Sequence, residues 1–309
     1  MEVVSNIKNY TLTQACSLTI GTFDGVHLGH RKIIQRLVSS AKDKNLLAVV
    51  LTFFPHPRMV LQPDSDIRLI DTLEEKKKIL ASLGVDVLVI HPFSKSFSRQ
   101  SSSKFIRDVL VEKFKLKHLI IGYDHRFGRN REANVEDLIQ AGETYNFEVE
   151  KIEAQEIESV NVSSTKVRNA LENGDIEKAT EYLHRPFKIS GKVIEGNGLG
   201  RTIYFPTANI LIEEDYKLLP RDGVYFIQTS IQNTRIYGMM NIGFRPTVEG
   251  KQRNIEVHLF DFSGDLYGHT LEVEFIQLLR TEIKFNSLEE LKNQLLKDKA
   301  KCEELIPLS

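Results

Sequence analysis

Between residues 17 and 152 the chain alternates short apolar runs with longer segments of helical periodicity. The run L-L-A-V-V-L-T-F at 46–53 is apolar on both faces, which is typical of a parallel strand covered by helices on both sides. By these criteria we predict strands at 17–21, 46–53, 86–90, 118–122 and 147–152, and helices around 33–41, 72–83, 101–114 and 134–145. This alternation predicts a doubly wound parallel sheet.

After about residue 185 the pattern changes to strand-like segments with period-two alternation, separated by turns that contain glycine. We predict strands at 187–194, 223–231, 235–242, 254–262 and 270–279. A helix follows only at the end, opened by a capping box of Ser287 and Glu290. Short strands at this spacing indicate a small antiparallel barrel with a terminal helix. The sequence therefore predicts two domains, 1–184 and 185–309.

Composition narrows the possible partners. The charged fraction is 27% and the net charge is −1, so no broad electrostatic field points to nucleic acid or to an anionic membrane. Cys16 and Cys302 are far apart in the sequence and form neither a disulfide framework nor a zinc motif. The first residues lack a signal-peptide pattern, and no stretch has membrane-spanning length. We expect a cytoplasmic protein with no nucleic-acid or membrane partner.

The segment T-I-G-T-F-D-G-V-H-L-G-H at 19–30 allows three interpretations. A catalytic zinc site needs a third protein ligand and favours helical histidines four apart, whereas His27 and His30 are three apart. The histidines could also be structural residues at a loop-to-helix junction. In the third interpretation, glycines and a helix N-terminus bring backbone N–H groups to a phosphate, and the imidazoles stabilise its charge.

A second segment, V-S-S-T-K-V-R at 162–168, favours the phosphate interpretation. Ser163, Ser164 and Thr165 stand at the predicted start of a helix, and Arg168 follows one turn later. By itself this pattern is an ordinary helix cap. Together with H-x-G-H in the same α/β domain, it indicates a triphosphate held from two sides.

A separate group of polar residues lies in the C-terminal half. The G-x-G-x-G pattern at 196–200 matches neither the dinucleotide-binding nor the P-loop spacing, and a flexible hairpin turn is the simplest explanation. Thr207 and Asn209 add a hydroxyl and an amide that suit Mg²⁺ and phosphate. Glu256 and His258 share one face of a predicted strand. That face either lines a cleft or is a solvated outer surface.

Taken in order, these motifs resemble a known family. G-T-F-D-G-V-H-L-G-H, I-G-Y-D-H-R-F-G-R-N-R and V-S-S-T-K-V-R resemble the adenylyltransferase half of the prokaryotic bifunctional riboflavin kinase/FAD synthetases. G-N-G-L-G-R-T-I-Y-F-P-T-A-N, N-I-G-F-R-P-T and I-E-V-H-L-F-D-F resemble the riboflavin kinase half. The resemblance implies a Rossmann-like nucleotidyltransferase domain followed by a small antiparallel barrel of riboflavin-kinase type with a C-terminal helix. It also implies phosphorylation of riboflavin to FMN by ATP, and then adenylylation of FMN to FAD with release of pyrophosphate.

The resemblance assigns roles to particular residues. In the first domain it implies catalytic His27 and His30, ATP-binding Phe23, Gly25, Asp124, Ser164, Thr165 and Arg168, and flavin-binding Phe54 and Pro55. In the second it implies the general base Glu256, ATP-binding Gly196, Gly198, Gly200, Thr207 and Asn209, and flavin-binding Arg280. Thr207 and Asn209 would hold Mg²⁺. The implied partners are riboflavin, FMN and ATP, and the chain would be a monomer or a transient homo-oligomer.

Two alternatives remain open from the sequence. Tyr204 stands where members of this family usually carry glycine, and its ring could crowd the glycine-rich loop. The first alternative is therefore an FAD synthetase with an inactive, flavin-binding regulatory barrel. The second is a non-enzymatic nucleotide- or RNA-binding protein, which the neutral charge and the lack of interleaved basic and aromatic clusters disfavour.

Overall fold

The structure is a computed structural model that describes residues 1–123, 126–129, 132–153, 162–196, 199–247 and 250–306. The chain divides into two compact units, Met1–Ser164 and Thr165–Ser309. The second unit includes two helices that precede His184. The domain limits 1–184 and 185–309 stay a prediction.

The first unit is built on a six-stranded parallel sheet. Its strands are β1 (Glu2–Val4), β2 (Cys16–Ile20), β3 (Leu47–Phe54), β4 (Val87–Pro92), β5 (Leu116–Gly122) and β6 (Glu148–Ile152). They lie in the order β1-β4-β3-β2-β5-β6, and every neighbouring pair is parallel. The predicted doubly wound sheet is confirmed.

Helices cover both faces of this sheet. They are α1 (Leu28–Asp43), α2 (Pro57–Leu61), α3 (Leu73–Ser82), α4 (Ser102–Phe105), which continues as a π-helical turn to Val111, and α5 (Val135–Tyr145). Ala48 and Val50 of β3 belong to the same buried cluster as Leu37 of α1, whereas Val49 and Leu51 belong to a second cluster with Phe105. Because both faces are buried, the strand is apolar at nearly every position.

The strand order reverses between β2 and β5. From β2 the chain builds β3 and β4 on one side, and then β5 and β6 on the other. In doubly wound sheets, ligands bind beyond the carboxyl ends of the strands at such a switch point. The segment 21–30, with the two histidines, leaves β2 at this place.

The second unit contains a closed antiparallel barrel. Helices α6 (Ser164–Asn173) and α7 (Ile176–Leu183) come before it in the chain. The barrel strands are β7 (Lys188–Ile194), β8 (Ala208–Leu211), β9 (Gly223–Ile231), β10 (Thr234–Thr247), β11 (Gly250–Leu259) and β12 (Thr270–Arg280), closed in the order β10-β11-β8-β7-β12-β9. A short helix α8 (Leu199–Thr202) lies between β7 and β8. The predicted barrel is confirmed.

The C-terminal helix α9 (Leu288–Leu305) packs against the barrel. Leu291 and Leu295 contact a buried cluster that includes Phe226 and Met239 of the barrel strands and Cys302 of the helix. Ser287 caps this helix, as predicted, by accepting a hydrogen bond from Glu290 N at 3.1 Å. The other half of the predicted capping box is wrong, because the Glu290 carboxylate accepts from Asn286 N at 2.8 Å.

Of the helices that the structure describes, none combines the length and apolar character needed to cross a lipid bilayer.

Candidate active sites

The turn that follows β2 has an unusual backbone. Phe23, Gly25 and Val26 have φ values of 46°, 81° and 38°, in the left-handed region that side chains with a Cβ rarely adopt. A Cβ at Gly25 would lie 2.8 Å from a methyl carbon of Ile70, so both the φ value and the space favour glycine there. The turn ends at His27, which is the N-cap residue of α1. Phe23 and Gly25, two predicted ATP-binding residues, therefore shape the entry to this helix.

His27 and His30 stack on one another at the N-terminus of α1. Their ring centroids are 3.7 Å apart at an interplanar angle of 20°, and the edge of Phe23 packs against His30 at 5.2 Å. Burial, followed by the positive charges of His27 and Lys76, holds the pKa of His30 well below its ordinary value. His30 is therefore a neutral imidazole, and its buried Nδ1 has no hydrogen-bond partner in the described part of the chain.

One residue of the second predicted phosphate motif, Ser164, contacts the same turn. Ser164, the first residue of α6, donates its hydroxyl hydrogen bond to the backbone carbonyl of Asp24 at 2.9 Å. Asp24 precedes His27 by three residues, so this bond places Ser164 beside the turn that carries His27. Thr165 and Arg168 follow in α6 and belong to the second unit. Asp124 lies outside the described residues.

The predicted flavin-binding pair stands at the end of β3, the strand beside β2. Phe54 closes this strand, and the peptide bond between Phe54 and Pro55 is cis. Two residues earlier, Thr52 Oγ1 donates to the carbonyl of Thr22 at 3.2 Å, which ties the end of β3 to the histidine turn. Phe54 and Pro55 therefore lie at the same edge of the sheet as His27 and His30.

The barrel unit contains a cavity of about 280 Å³ that gathers most of the second group of predicted residues. Its lining includes Gly200, Thr207, Asn209, Glu256 and Arg280. The register places Glu256 of β11 directly between Asn209 of β8 and Asn241 of β10. Asn241 also lines the cavity. The three side chains form a polar row across three adjacent strands.

This cavity lies between the outer face of the barrel and helix α9, which covers it. Glu256 and His258 line it, as their predicted common face requires, while the alternating residues Ile255 and Val257 are buried. Leu291 and Leu295 of α9 form part of the opposite wall. The face is therefore not a solvated surface but one side of a cleft between sheet and helix.

Hydrogen bonds fix the carboxylate and its surroundings. Asn254 Nδ2 donates to Glu256 Oε1 at 2.6 Å. Such a bond stabilises the ionised carboxylate, because a carboxylate accepts more strongly than the neutral acid. His258 Nδ1 makes a hydrogen bond of 2.8 Å with the carbonyl of Pro206, the residue before Thr207.

The glycine-rich segment approaches this row closely. A Cβ at position 196 would overlap the Asn209 amide, and a Cβ at position 200 would overlap the carbonyl of Phe205. Glycine at these positions allows a backbone approach that any side chain would prevent. Gly198 lies outside the described residues.

Arg280 links the cavity to the C-terminal helix. Its Nε and Nη2 atoms bond the Asp298 carboxylate at 2.9 and 2.8 Å, and Nη1 donates to the carbonyl of Thr281 at 3.1 Å. The guanidinium group is thus paired with α9 while the residue lines the cavity.

Comparisons with known proteins agree with this two-site arrangement. A family model described as FAD synthetase matches residues 10–166, and one described as riboflavin kinase matches residues 183–306. The bifunctional riboflavin kinase/FMN adenylyltransferase of Haemophilus influenzae is 39% identical over 300 residues, which is 96% of this chain and 97% of the relative. The Escherichia coli K12 protein of the same description is 37% identical over 312 residues, covering 100% of this chain and 99% of its own.

The chain belongs to the bifunctional riboflavin kinase/FMN adenylyltransferase family. It converts riboflavin to FMN and FMN to FAD with ATP. A crystal structure described as a macrolide-efflux protein from Streptococcus pneumoniae shares the fold, with a TM-score of 0.87 and 30% identity over 97% of this chain and 98% of that one.

Tyr204, whose ring was expected to crowd the glycine-rich loop, is not among the described residues that line the barrel cavity, and residues 197–198 of that loop lie outside the described ones. Its side chain is 83% exposed, and the ring lies 5.2 Å from Lys292 Nζ on the surface of α9. The backbone at this position has a φ of 65°, which glycine adopts without strain.

Two residues at these sites were not predicted from the sequence. Lys76 of α3 is buried next to the histidine turn, although it opens a run of three lysines that resembles a solvated surface. Asn241 lines the barrel cavity, and only the pairing of β10 with β11 places it beside Glu256. Strand register, which is a non-local property, is the signal that would have found Asn241.

Proposed function

We propose that His27 and His30 carry out adenylyl transfer as hydrogen-bond donors to the phosphates of ATP. The stacked imidazoles at the N-terminus of α1, with His27 buried and His30 partly buried, support this role, since the helix N–H groups and its dipole favour an anion at the same place. The phosphate of FMN is already ionised at neutral pH, so the reaction needs no general base. Catalysis then consists of alignment and of stabilising the charge that develops on the leaving pyrophosphate.

The remaining residues of this site complete the proposal. Phe23 and Gly25 shape the ATP-facing turn, and Ser164, Thr165 and Arg168 hold the triphosphate, with Asp124 beside the nucleotide. Phe54 and Pro55 contact the flavin from the end of the neighbouring strand. The hydrogen bond from Ser164 to the carbonyl of Asp24 supports the convergence of the two motifs.

In the barrel, we propose that Glu256 is the general base that takes the proton from the ribityl 5′-hydroxyl of riboflavin. An alcohol has a high pKa, so a positioned carboxylate assists its attack on the γ-phosphate of ATP. The cavity position of Glu256 and its bond from Asn254 support this role. Gly196, Gly198 and Gly200 would let the backbone cover the nucleotide, and Arg280 would contact the flavin.

Thr207 and Asn209 are the proposed Mg²⁺ ligands. Thr207, Asn209 and Glu256, whose side chains carry oxygen donors, line one cavity, and Mg²⁺ prefers oxygen donors of this kind. The residues therefore fit the metal. When bound, Mg²⁺ would neutralise charge on the β- and γ-phosphates of ATP.

We further propose that the chain works in the cytoplasm as a monomer or transient homo-oligomer, with small-molecule partners and without nucleic acid. Both cysteines are buried free thiols, which agrees with a reducing compartment. The near-zero net charge agrees with the absence of a polyanionic partner. The functional domains would be 1–184 for adenylyl transfer and 185–309 for the kinase.

The observation that carries the first assignment is the stacked histidine pair in the turn bound by Ser164. His30→Ala should lower the rate of FAD formation from FMN at least 10²-fold, the size expected when one preorganised donor is lost. The kinase activity of the same protein serves as the internal control and should be unchanged. FAD formation at the wild-type rate would show that His30 has no catalytic role.

A further inference from the structure

Lys76 is an unusual lysine, because its ammonium group is buried beside the adenylyl-transfer site. Only 4% of the residue is exposed, and Nζ donates a hydrogen bond to the backbone carbonyl of Thr22 at 2.8 Å. The next lysine of α3, Lys77, instead pairs with Glu74 at the surface. Because burial of a charge is costly unless other groups compensate it, the position of Lys76 calls for a specific cause.

Two buried aspartates supply that compensation. Asp24 is 1% exposed and Asp71 is 2% exposed, and both raise the pKa of Lys76 against the larger lowering effect of its burial. Asp24 lies in the histidine turn, and its Oδ1 accepts from Ile70 N at 3.0 Å. The ammonium group therefore makes two interactions with the turn: a hydrogen bond to the Thr22 carbonyl and an electrostatic attraction to the Asp24 carboxylate.

The turn needs such an anchor. Phe23 and Val26 both have positive φ values without being glycine, and conformations of this kind are unfavourable unless their surroundings hold them. Thr22 precedes this strained segment and His27 ends it. The carbonyl of Thr22 accepts from Lys76 and also from Thr52. A shift of Thr22 would change the path of the backbone up to His27, and therefore the orientation of His27 at the start of α1.

The same ammonium group influences the histidines electrostatically. The pKa of His30 is lowered first by burial, and then by the positive charges of His27 and Lys76. Lys76 therefore favours the neutral imidazole at the position where the proposed mechanism needs a hydrogen-bond donor.

We propose that Lys76 is a positioning residue of the adenylyl-transfer site, which clamps the Thr22 carbonyl and neutralises Asp24 so that the left-handed turn presents His27 and His30 to ATP. This inference rests on the proposed role of the two histidines. It assigns a function to a residue of α3, an element that carries none of the motif residues.

The test compares Lys76→Met with Lys77→Met in the full-length protein. Lys76→Met keeps the length of the side chain but removes its charge, whereas Lys77→Met removes a neighbouring, partly exposed charge of the same helix. We expect Lys76→Met to lower kcat for FAD formation about 10²-fold, the size associated with misplacement of reacting groups by about 1 Å, with little change in KM for FMN. Lys77→Met should stay within twofold of wild type, and neither variant should affect FMN formation from riboflavin.

A second readout separates positioning from simple destabilisation. In an NMR titration of the histidine side chains, the pKa of His30 should rise in Lys76→Met and stay unchanged in Lys77→Met. Equal kcat values for the two variants would overturn the inference, and so would an unchanged His30 pKa in Lys76→Met.

If Lys76→Met does not fold, Lys76→Arg tests the inference in its place. It keeps the positive charge, but its longer, planar guanidinium group places the N–H donors differently from an ammonium group and so alters the bond to Thr22. A loss of at least tenfold in kcat with an unchanged His30 pKa supports the inference, and a wild-type kcat overturns it. Failure of the underlying function looks different, because His30→Ala would then form FAD at the wild-type rate.

Discussion

Glu256 is a carboxylate on the outer face of the barrel that lines the cavity. Its neighbours across the sheet are Asn209 and Asn241, and Asn254 of its own strand donates to it. The Asn254 amide thus holds one oxygen of the carboxylate. A carboxylate that lines a partly covered cavity suits the proposed role of general base.

Glu256→Gln should lower kcat of the kinase reaction by roughly 10²–10⁴-fold, the usual contribution of a general base. The amide keeps the shape of the side chain but cannot accept the hydroxyl proton. Steady-state FMN formation from riboflavin measures the loss. Glu274→Gln is the control, since Glu274 is a barrel-strand carboxylate that pairs with Lys188 and lies outside the cavity lining. A loss below tenfold in Glu256→Gln would mean that this residue only positions riboflavin.

His91 offers a pH test within the first unit. Burial, with a smaller effect from the charge of Lys8, lowers the pKa of His91 to about 4 from an ordinary value of 6.5. Between these values the unfolded chain binds the proton and the folded chain does not, so this group reduces stability as the pH falls from about 6.5 to about 4.

His91→Leu should remove this contribution to acid destabilisation. Relative to wild type, the variant should gain stability as the pH falls through that window, by at most about 1.4 kcal/mol for each pH unit. Urea unfolding of both proteins at pH 7 and pH 5 measures the difference. A difference between the two proteins that is the same at both pH values would contradict the assignment.

At the scale of elements, α9 is the component that turns a barrel face into a cleft. Leu291 and Leu295 form part of the cavity wall, and Arg280 of β12 pairs with Asp298 of the helix. Asp298 also accepts from Gln294 at 2.9 Å and is 4% exposed. This largely buried ion pair fixes the helix on the sheet.

Asp298→Asn should destabilise the barrel unit by about 3 kcal/mol, because it leaves the Arg280 charge buried without its partner. It should also raise KM for riboflavin, since the helix then closes the cavity less well. Glu303→Gln is the control: its pair with Lys299 is exposed on the same helix, and exposed pairs contribute at most about 1 kcal/mol. Urea unfolding and kinase assays measure both effects, and equal losses in the two variants would contradict this account of α9.

The elements that sequence analysis predicted are those with strong local patterns. The apolar runs of β2 to β5 predict buried parallel strands because both faces of the sheet are covered. The edge strand β1 and the strand β8 were not predicted, because they contain three and four residues and are too short to show a period. Closure of the barrel and the row of Asn209, Glu256 and Asn241 depend on register between distant strands, which local patterns do not contain.

At the scale of the whole molecule, the chain combines two phosphate chemistries without a strong overall charge. The net charge is −1, so each site must attract ATP locally. In the proposed mechanism, a helix N-terminus and two imidazoles of the first unit stabilise attack at the α-phosphate. In the second unit, the proposed base Glu256 and its neighbouring hydroxyl and amide oxygens serve attack at the γ-phosphate. The central claim is that these two sites act independently.

The most direct measurement is chromatography of the flavins formed from riboflavin, ATP and Mg²⁺ by His30→Ala, by Glu256→Gln, and by an equal mixture of the two. His30→Ala should stop at FMN, and Glu256→Gln should leave most riboflavin unconverted while still adenylylating supplied FMN. The mixture should produce FAD, because FMN released by one variant is the substrate of the other. Loss of both activities in either single variant, or failure of the mixture to form FAD, would contradict the account.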